Sequence, residues 1–239
     1  MQAMILAAGF GKRMLPLTNT IPKPLVEVNK KPLLHYTIDK LLNNSIKDIV
    51  INTHYLPKEI KSSILGNYPN YFKIIHEDEI LETGGGVLNA IKKKYIRNIN
   101  PFFVLNGDIF WLEKDNSVFK ELISNWDDKR MEILAVLIRT KNLFGYSGNG
   151  DFNLVEKNEK LSRVTNFDKK KEYVYTGLQL VSPEVFANIN KKKFSFTEIF
   201  DRTIQNKTMY GLVDDRNWFH IGTIETLKKI NLFLKKTSY

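Results

Sequence analysis

The sequence contains no cysteine among its 239 residues, which excludes disulfide bonds and thiolate metal sites. It also lacks any apolar run of about eighteen residues or more, so we expect no membrane-spanning helix. The apolar segment at the start of the chain stops at Gly9 and has no basic residue before it, unlike a secretory signal peptide. Together these absences favour a cytoplasmic protein.

Acidic residues are fewer than basic ones, 26 against 36, which gives a formal net charge of +10. Most of this excess lies in short surface runs such as 92–94 and 191–193, without the interleaved aromatic residues typical of nucleic-acid-binding segments. A nucleotide or a sugar phosphate is a sufficient anionic partner. We therefore expect no nucleic acid and no membrane partner, and a monomer or small homo-oligomer.

Predicted strands and helices alternate through the first half of the chain, which indicates βαβ units on a parallel sheet. The second half is richer in strand and adds antiparallel pieces, and no linker divides the two. The sequence thus predicts one α/β domain over residues 1–239 with a mixed, mostly parallel sheet flanked by helices. Strands are predicted at 4–8, 48–53, 72–76, 102–106, 132–139, 152–156, 161–167, 173–181 and 208–213, and helices at 33–42, 58–65, 86–95, 118–126, 196–205 and 224–234.

The stretch "LAAGFGKRM" places two glycines and two cations directly after the first predicted strand. It is not a dinucleotide fingerprint, because Met14 stands where that motif needs a third glycine, and it lacks the Gly-Lys-Ser/Thr ending of a P-loop. Gly9 and Gly11 allow backbone N–H groups to point at an anion, and the Arg13 guanidinium can bind phosphate oxygens in pairs. A plain turn is the alternative interpretation of the glycine pair alone.

Lys23 lies between two prolines, each of which restricts its own backbone and that of the residue before it. Such a frame suits a cation with a fixed position, although an ordinary proline-rich loop is an equal alternative. Residues 4–36 as a whole resemble the signature of sugar-phosphate nucleotidylyltransferases, L-A-A-G-x-G-x-R-M-x-P-L-T-x-x-x-P-K-P-L. Every fixed position of that signature is present in this chain.

The resemblance implies a Rossmann-like sheet with a nucleoside triphosphate lying over the glycine loop. A phosphate oxygen of a sugar 1-phosphate then attacks the α-phosphorus, and pyrophosphate leaves. This chemistry depends on positioning and charge neutralisation, for which the resemblance implies Arg13, Lys23 and Asp108 as catalytic residues. In this stretch, the residues implied to bind the nucleotide are Leu6, Ala7, Ala8, Gly9, Gly11, Lys12, Arg13 and Lys23.

The second motif, "ILETGGGVLNAI", has three glycines before a helical pattern. We expect the first N–H groups of that helix to face outward, although a flexible loop with a glycine cap is the alternative. Here the chain resembles in particular the bacterial N-acetylmuramate-1-phosphate uridylyltransferases of cell-wall recycling. That resemblance implies that Thr83, Gly84 and Gly85 lie against the base and ribose, with Glu77 at the rim of the base pocket.

The third motif, "FFVLNGDIFW", ends a buried strand in Asn106 and carries a carboxylate two residues later. Open α/β sheets bind ligands at this edge, although a lone aspartate there is often only a turn former or helix cap. The resemblance implies that Asp108 holds Mg²⁺ against the triphosphate and that Asn106 contacts the sugar side. The residues 1–110 then form the nucleotide- and metal-binding half, and residues 111–239 form the acceptor-binding half.

The segment "NWFHIGTIETL" departs from the family pattern W-x-D-x-G-T, because His220 stands at the position of a second metal-binding aspartate. Imidazole is a poor ligand for Mg²⁺ and a good one for Mn²⁺. Three hypotheses follow. Asp108 holds Mg²⁺ with water alone, or the site prefers Mn²⁺ bound by Asp108 and His220, or efficient turnover has been lost.

The residues that would bind the acceptor are harder to identify from the sequence. Asp151 in "YSGNGDFNL" resembles a sugar-contacting aspartate, and Gly177 in "VYTGLQLV" falls in the family's sugar-binding strand, where it leaves room for the ring. The substrate pair that we favour is UTP with N-acetylmuramate 1-phosphate. The alternatives are a guanylyl- or cytidylyltransferase for another sugar 1-phosphate or phosphocholine, and a nucleotide-binding homologue with little catalysis.

Overall fold

A computed structural model describes residues 1–68, 71–97, 101–114, 116–156, 159–166 and 169–237. Its six helices within these ranges are α1 Leu33–Asn43, α2 Pro57–Asn67, α3 Glu82–Lys92, α4 Val118–Asn125, α5 Phe196–Gln205 and α6 Ile224–Lys236. The strands are β1 Gln2–Leu6, β2 Glu27–Val28, β3 Lys31–Pro32, β4 Asp48–Thr53, β5 Phe72–His76, β6 Phe102–Asn106, β7 Phe110–Leu112, β8 Ile133–Arg139, β9 Asn153–Leu154, β10 Leu161–Thr165, β11 Tyr173–Val181, β12 Met209–Val213 and β13 Asn217–Phe219.

Nine of these strands form one sheet in the order β5-β4-β1-β6-β11-β8-β12-β10-β9. Strands β10 and β11 run antiparallel to their neighbours, and the other seven share one direction. This arrangement confirms the predicted mixed, mostly parallel sheet in a single domain. The parallel first half arises because α1, α2 and α3 each return the chain to the same end of the sheet.

Helices cover both faces of the sheet and create two separate hydrophobic cores. Helices α1, α2 and α4 pack on one face, and helices α3 and α5 pack on the other. Strands buried on both faces have continuous apolar sequences, as in "ILAVLIR" of β8, which explains why those strands could be predicted from their composition. No helix among the described residues is long and apolar enough to cross a membrane.

A small third core fixes the position of the segment before His220. Strand β13 pairs antiparallel with β7, so that Trp218 lies opposite Trp111 with stacked rings 4.7 Å apart. The apolar face of α6 packs beside this pair of strands together with Met14 and Phe110. The pairing of β13 with β7 therefore places His220 at the same edge of the large sheet as the glycine loop.

All six predicted helices are present, and the differences from the predicted boundaries are local. Strand β1 ends at Leu6, so residues 7 and 8 already belong to the loop. Helix α3 begins at Glu82 instead of residue 86, which places the three glycines inside the helix. The strand predicted at 152–156 is reduced to Asn153–Leu154, and residue 167 of the strand predicted at 161–167 lies outside the described residues.

Candidate active site

A cavity of ≈ 540 Å³ lies at the carboxyl ends of the parallel strands β1, β4 and β6. In the strand register, Leu6 lies opposite both Asn52 and Asn106, and all three residues line this cavity. Polar residues that end adjacent parallel strands therefore meet at one edge, as open α/β sheets require of a ligand site. The full lining is Leu6, Ala7, Ala8, Gly9, Gly11, Lys12, Arg13, Lys23, Pro24, Asn52, Ile80, Glu82, Thr83, Asn106, Asp108 and Ser195.

The glycine loop leaves β1 under restraint from both neighbouring strands. The Leu6 carbonyl accepts a hydrogen bond from Gly107 N at 2.8 Å, and Ala7 N donates to Asn52 Oδ1 at 2.9 Å. Further on, Gly11 has φ +64°, and an added Cβ would lie 3.0 Å from the Cβ of Lys23. A glycine is required there both by the left-handed backbone and by the close approach to Lys23.

Two cations of this loop reach the cavity because a short 3₁₀ turn, Lys12–Met14, follows Gly11. Lys12 and Arg13 both line the cavity, whereas Met14 turns inward and is fully buried. The ammonium of Lys12 lies 5.6 Å from the centre of the Phe10 ring. The turn thus separates an anchoring apolar side chain from two cations that can contact an anion.

Lys23 is held as its proline frame predicts. Pro22 has an extended backbone, and Lys23 begins another 3₁₀ turn, Lys23–Leu25, in which it is only 9% exposed. Its Nζ forms an ion pair with Asp108 Oδ2 at 2.5 Å. A buried cation of this kind needs a compensating charge, and Asp108 supplies it.

Asp108 reaches Lys23 because β6 ends in a tight turn. Asn106 is the last residue of β6, and an added Cβ at Gly107 would lie 2.9 Å from the Leu6 carbonyl oxygen. The chain can therefore pass close to β1 only with a glycine at this position. The consequence is that Asn106 and Asp108 both face the cavity that the glycine loop borders.

His220 lies beside the cations of the site. An added Cβ at Gly222 would be 2.7 Å from His220 Nε2 and 3.6 Å from Arg13 Nη1. Burial, followed by the charges of Arg13 and Lys23, lowers the pKa of the His220 imidazole below its ordinary value of 6.5. The ring is therefore uncharged at neutral pH and keeps a lone pair available.

Asp151, the predicted acceptor contact, lies near His220 in the loop before β9. Its Oδ2 accepts a hydrogen bond from Tyr175 N at 2.8 Å, and burial raises the pKa of its carboxyl group. It interacts electrostatically with His220, which in turn interacts with Asp108. Asp151 therefore lies within electrostatic range of His220, and His220 within that range of Asp108, whereas contact of Asp151 with an acceptor stays a prediction.

The carboxylates of the site suit a metal ion that is also bound by a substrate, because they do not form a complete metal site by themselves. Among the described residues, no group of three or more His, Cys, Asp or Glu side chains could hold a metal. Magnesium commonly binds through one or two carboxylates, with water and substrate phosphates completing its shell. Asp108 has the ligand chemistry that Mg²⁺ uses, and metal coordination by Asp108 and by His220 both stay predictions.

The glycines of α3 do not have the environment that the sequence suggested. Gly84 N and Gly85 N both donate to Phe194 O at 3.0 Å, so the expectation that these N–H groups face outward is wrong. Added Cβ atoms would lie 2.3 Å from the Phe194 ring at Gly84 and 2.3 Å from Lys192 O at Gly85. Because the glycines have no side chains, the segment 192–196 can pack directly against α3. Gly84 and Gly85 are absent from the cavity lining.

Glu77 also differs from its predicted position at the rim of the base pocket. It is 2% exposed, and its Oε1 accepts a hydrogen bond from Asn52 Nδ2 at 2.7 Å. The residue that lines the cavity at this point is Asn52, together with Thr83 of α3. Burial raises the pKa of Glu77, and the hydrogen bonds from Asn52 and Leu81 oppose that rise.

Sequence reasoning missed the lining residues Pro24, Asn52, Ile80, Glu82 and Ser195. Asn52 carried a usable signal, because it is a polar residue near the end of an apolar predicted strand, as Asn106 is. Ser195 carried none, since it caps α5 through its bond from Thr197 N and reaches the cavity only by the packing of 192–196 on α3.

Gly177 lies in a β-bulge between β11 and β8 with φ +89°. An added Cβ there would be 2.6 Å from Ile109 Cγ2 and 2.9 Å from Asn106 Nδ2. The glycine is thus required by its backbone and by Asn106, independently of any sugar ring. Its predicted contact with the acceptor stays a prediction.

The chain matches a family model described as nucleotidyl transferase over residues 2–237. It is 31% identical to an N-acetylmuramate alpha-1-phosphate uridylyltransferase of Caulobacter vibrioides, over 92% of this chain and 91% of that protein. It is 29% identical to a mannose-1-phosphate guanyltransferase of Hypocrea jecorina, over 93% of this chain but 61% of that longer protein.

Solved structures support the same fold. A UDP-glucose pyrophosphorylase in complex with UDP-glucose superposes with a TM-score of 0.78 at 18% identity, covering 99% of this chain and 98% of that one. HddC from Yersinia pseudotuberculosis gives a TM-score of 0.75 at 24% identity, covering 98% of this chain and 99% of that one. At these identities the likeness establishes the architecture alone.

Proposed function

Since the chain belongs to the nucleotidyl transferase family and is a sugar-phosphate nucleotidyltransferase, we propose that it transfers a uridylyl group from UTP to N-acetylmuramate 1-phosphate. The products are the UDP-sugar and pyrophosphate. The choice of this substrate pair is supported by the uridylyltransferase of Caulobacter vibrioides, which is similar along almost its whole length. The "LETGGG" motif supports the same pair.

The observation that carries the proposal is the convergence of Lys12, Arg13, Lys23 and Asp108 on one cavity beside the glycine loop. A triphosphate needs several cations along its length and a metal-binding carboxylate close to them. One cation about 4 Å from a phosphate contributes roughly 4 kcal/mol at an effective dielectric constant near 20, before desolvation costs. Three cations around one cavity therefore favour a polyphosphate ligand over a neutral one.

In the proposed reaction, a phosphate oxygen of the sugar 1-phosphate forms a bond to the α-phosphorus of UTP. The bond between that phosphorus and the oxygen bridging to the β-phosphate breaks, and the electron pair leaves with pyrophosphate. Arg13 and Lys12 bind the triphosphate, and Lys23 neutralises the charge that accumulates around the α-phosphorus. Lys23 must exchange part of its contact with Asp108 for the phosphate in this step.

Asp108 would hold a divalent cation together with phosphate oxygens, and such a cation would neutralise charge on the polyphosphate. We propose Mg²⁺ as this cation, with Mn²⁺ as the alternative if His220 contributes its imidazole. In the acceptor half, residues 111–239, Asp151 and Gly177 are the proposed contacts to the sugar, with Asn106 between the two substrates. A cytoplasmic location and a role in cell-wall recycling belong to the same proposal.

A guanylyltransferase is the second candidate, favoured by the mannose-1-phosphate guanyltransferases at 29% identity. The fold and the phosphate-binding residues are equally compatible with either base. A nucleotide-binding homologue with little catalysis is the third candidate, because His220 stands where the family pattern has a metal-binding aspartate. The intact set of Arg13, Lys23 and Asp108 argues against it.

The test is pyrophosphate release from purified protein with UTP, GTP, CTP and ATP, each paired with N-acetylmuramate 1-phosphate, mannose 1-phosphate, glucose 1-phosphate and phosphocholine. Each pair is measured in Mg²⁺ and in Mn²⁺, with the Lys23→Met variant as a control for contaminating activity. We expect turnover with UTP and N-acetylmuramate 1-phosphate. Preferred turnover of GTP with mannose 1-phosphate would replace the first proposal with the second. Nucleotide binding without any turnover would establish the third.

A further inference from the structure

Asn52 extends the hydrogen-bond ladder of the sheet by one position beyond the end of β1. Strand β1 pairs with β4 only as far as Leu6, and the next N–H group, that of Ala7, donates to the Asn52 side chain at 2.9 Å. On the other side, Leu6 O accepts from Gly107 N at 2.8 Å. The direction in which the glycine loop leaves the sheet is therefore set by these two hydrogen bonds.

The orientation of the Asn52 amide is fixed by Glu77. Asn52 Nδ2 donates to Glu77 Oε1 at 2.7 Å, and the other carboxylate oxygen, Oε2, accepts from Leu81 N at 3.3 Å. A carboxylate can only accept here, so the NH₂ group of Asn52 must face Glu77 and the Asn52 oxygen must face Ala7. Glu77 itself is 2% exposed and Asn52 is 2% exposed, so water does not replace these partners readily.

Glu77 is in turn held from several directions. Its backbone N donates to Thr53 O at 2.8 Å, and its backbone O accepts from His54 Nδ1 at 2.8 Å. Helix α3 closes over the pair at Gly86, where an added Cβ would lie 2.7 Å from Asn52 Nδ2 and 2.9 Å from Glu77 Oε1. The pair is thus enclosed between the sheet and a helix that carries no side chain at the point of contact.

From these contacts we infer that Asn52 and Glu77 are positioning residues for the nucleotide site. Glu77 orients the Asn52 amide, and Asn52 holds Ala7 N so that the loop from Ala8 to Arg13 is preset to receive a triphosphate. Glu77 acts through Asn52 and does not contact the ligand. The changes in KM that this inference predicts rest on the proposed function. Its structural consequences rest on the hydrogen bonds alone.

The chain offers a test in which the polarity of the pair is reversed. In Glu77→Gln, the new amide can accept from only one of Asn52 Nδ2 and Leu81 N, so one N–H group loses its acceptor. In Asn52→Asp, two carboxylates face each other across the 2.7 Å contact. In the double variant, a carboxylate at position 52 accepts from Ala7 N and from the amide at position 77, whose oxygen accepts from Leu81 N. All the hydrogen bonds are then restored, and the net charge equals that of the wild type.

We expect each single variant to raise the KM for the nucleotide roughly tenfold, because a buried hydrogen bond is lost. The KM for the sugar 1-phosphate should change by less than about twofold, and the double variant should return close to the wild-type values. Simple electrostatics makes the opposite prediction for Glu77→Gln, since removing a negative charge near the cavity should strengthen binding of an anion. A lowered nucleotide KM in Glu77→Gln, or a double variant as poor as the product of the singles, would overturn the inference.

Amide hydrogen exchange of Ala7 in the ligand-free protein provides a second readout that needs no substrate. Exchange should accelerate in both single variants and return to the wild-type rate in the double variant, with thermal unfolding recorded for each. Gly66→Ala serves as the control, because nothing lies within 4 Å of the added Cβ. If Ala7 follows this pattern while no substrate pair is turned over, the proposed function fails and the positioning role stands. If Ala7 exchange is the same in all variants, the positioning role fails.

Discussion

Two glycine-rich segments, 9–13 at the cavity and 84–86 just behind its lining residue Thr83, use glycine for different purposes. In the loop at 9–13, Gly11 takes up a left-handed backbone beside Lys23, and the two following cations line the cavity. At 84–86, every glycine is buried against another part of the chain: Phe194, Lys192 or the Asn52–Glu77 pair. The first segment lines a cavity with cations, whereas the second allows distant parts of the chain to pack closely. Glycine content by itself therefore does not identify a phosphate-binding loop.

The largest effect that follows from this comparison is at Lys23, the cation that the first segment packs against. We expect Lys23→Met to lower kcat by at least roughly a hundredfold, because the charge near the α-phosphate is lost. Steady-state pyrophosphate release measures this effect. Lys61→Met is the matched control, since Lys61 is exposed on α2. Equal rates for the two variants would show that Lys23 has no part in the reaction.

The second largest effect tests whether the α3 glycines are structural. Gly85→Ala places a Cβ 2.3 Å from a backbone carbonyl, that of Lys192, which cannot rotate away. We expect a loss of stability of about 1–3 kcal/mol, measured by urea unfolding, because overpacking outweighs the gain in helix propensity. The nucleotide KM of the folded fraction should change little. Unchanged stability with a large rise in KM would make Gly85 a ligand contact instead.

A smaller effect on stability is expected at Gly11 and none at Gly9, the two glycines of the loop itself. Gly11→Ala should lower stability by about 1–2 kcal/mol, because a side chain in the left-handed region is strained. Gly9→Ala should leave the unfolding midpoint unchanged, since nothing lies within 4 Å of its added Cβ, and yet raise the nucleotide KM if the triphosphate lies over it. Calorimetry and kinetics on the two variants give both quantities. A stable Gly11→Ala with normal kinetics would contradict the account of this loop.

The smallest expected effect is a pH dependence of stability at Lys40, which is largely buried, as Lys23 is. Lys23 faces the cavity, whereas Lys40 lies over the Trp111 ring and donates to Trp111 O at 2.9 Å. Burial lowers the pKa of Lys40 to about 8 from an ordinary value of 10.5. Between these values the unfolded chain binds more protons than the folded one, so stability from this group rises with pH. Thermal unfolding from pH 7 to pH 10 should show this rise relative to Lys40→Met, and parallel profiles would contradict it.

Much of the fold could be predicted because its signals are local. Apolar runs such as "FFVLN" and "DIVIN" mark strands with no knowledge of their neighbours, and the helices between them follow a 3.6-residue period. The glycine loop, Lys23 and Asp108 were identified through their resemblance to the family signature, because the local pattern alone left a plain turn or an ordinary loop as alternatives. Their convergence on one cavity follows from the parallel arrangement of β1, β4 and β6.

The remaining features depend on partners far away in the sequence. The role of Gly84 is set by Phe194, and that of Glu77 is set by Asn52, and nothing within either motif encodes these contacts. Gly177 is similar, because its neighbour is Asn106 on the adjacent strand. Motif reasoning assigned these residues to ligands, since a ligand was the nearest available explanation for a glycine or a carboxylate at that edge.

The most direct test of the distinction between the two segments is residue-resolved amide hydrogen exchange, with and without Mg²⁺ and a non-hydrolysable UTP analogue. The account predicts that the ligand slows exchange across residues 8–13. Gly84 and Gly85, already bonded to Phe194 O, should exchange slowly in both states and change little. Protection confined to residues 84–86, with no change in the loop, would contradict the account.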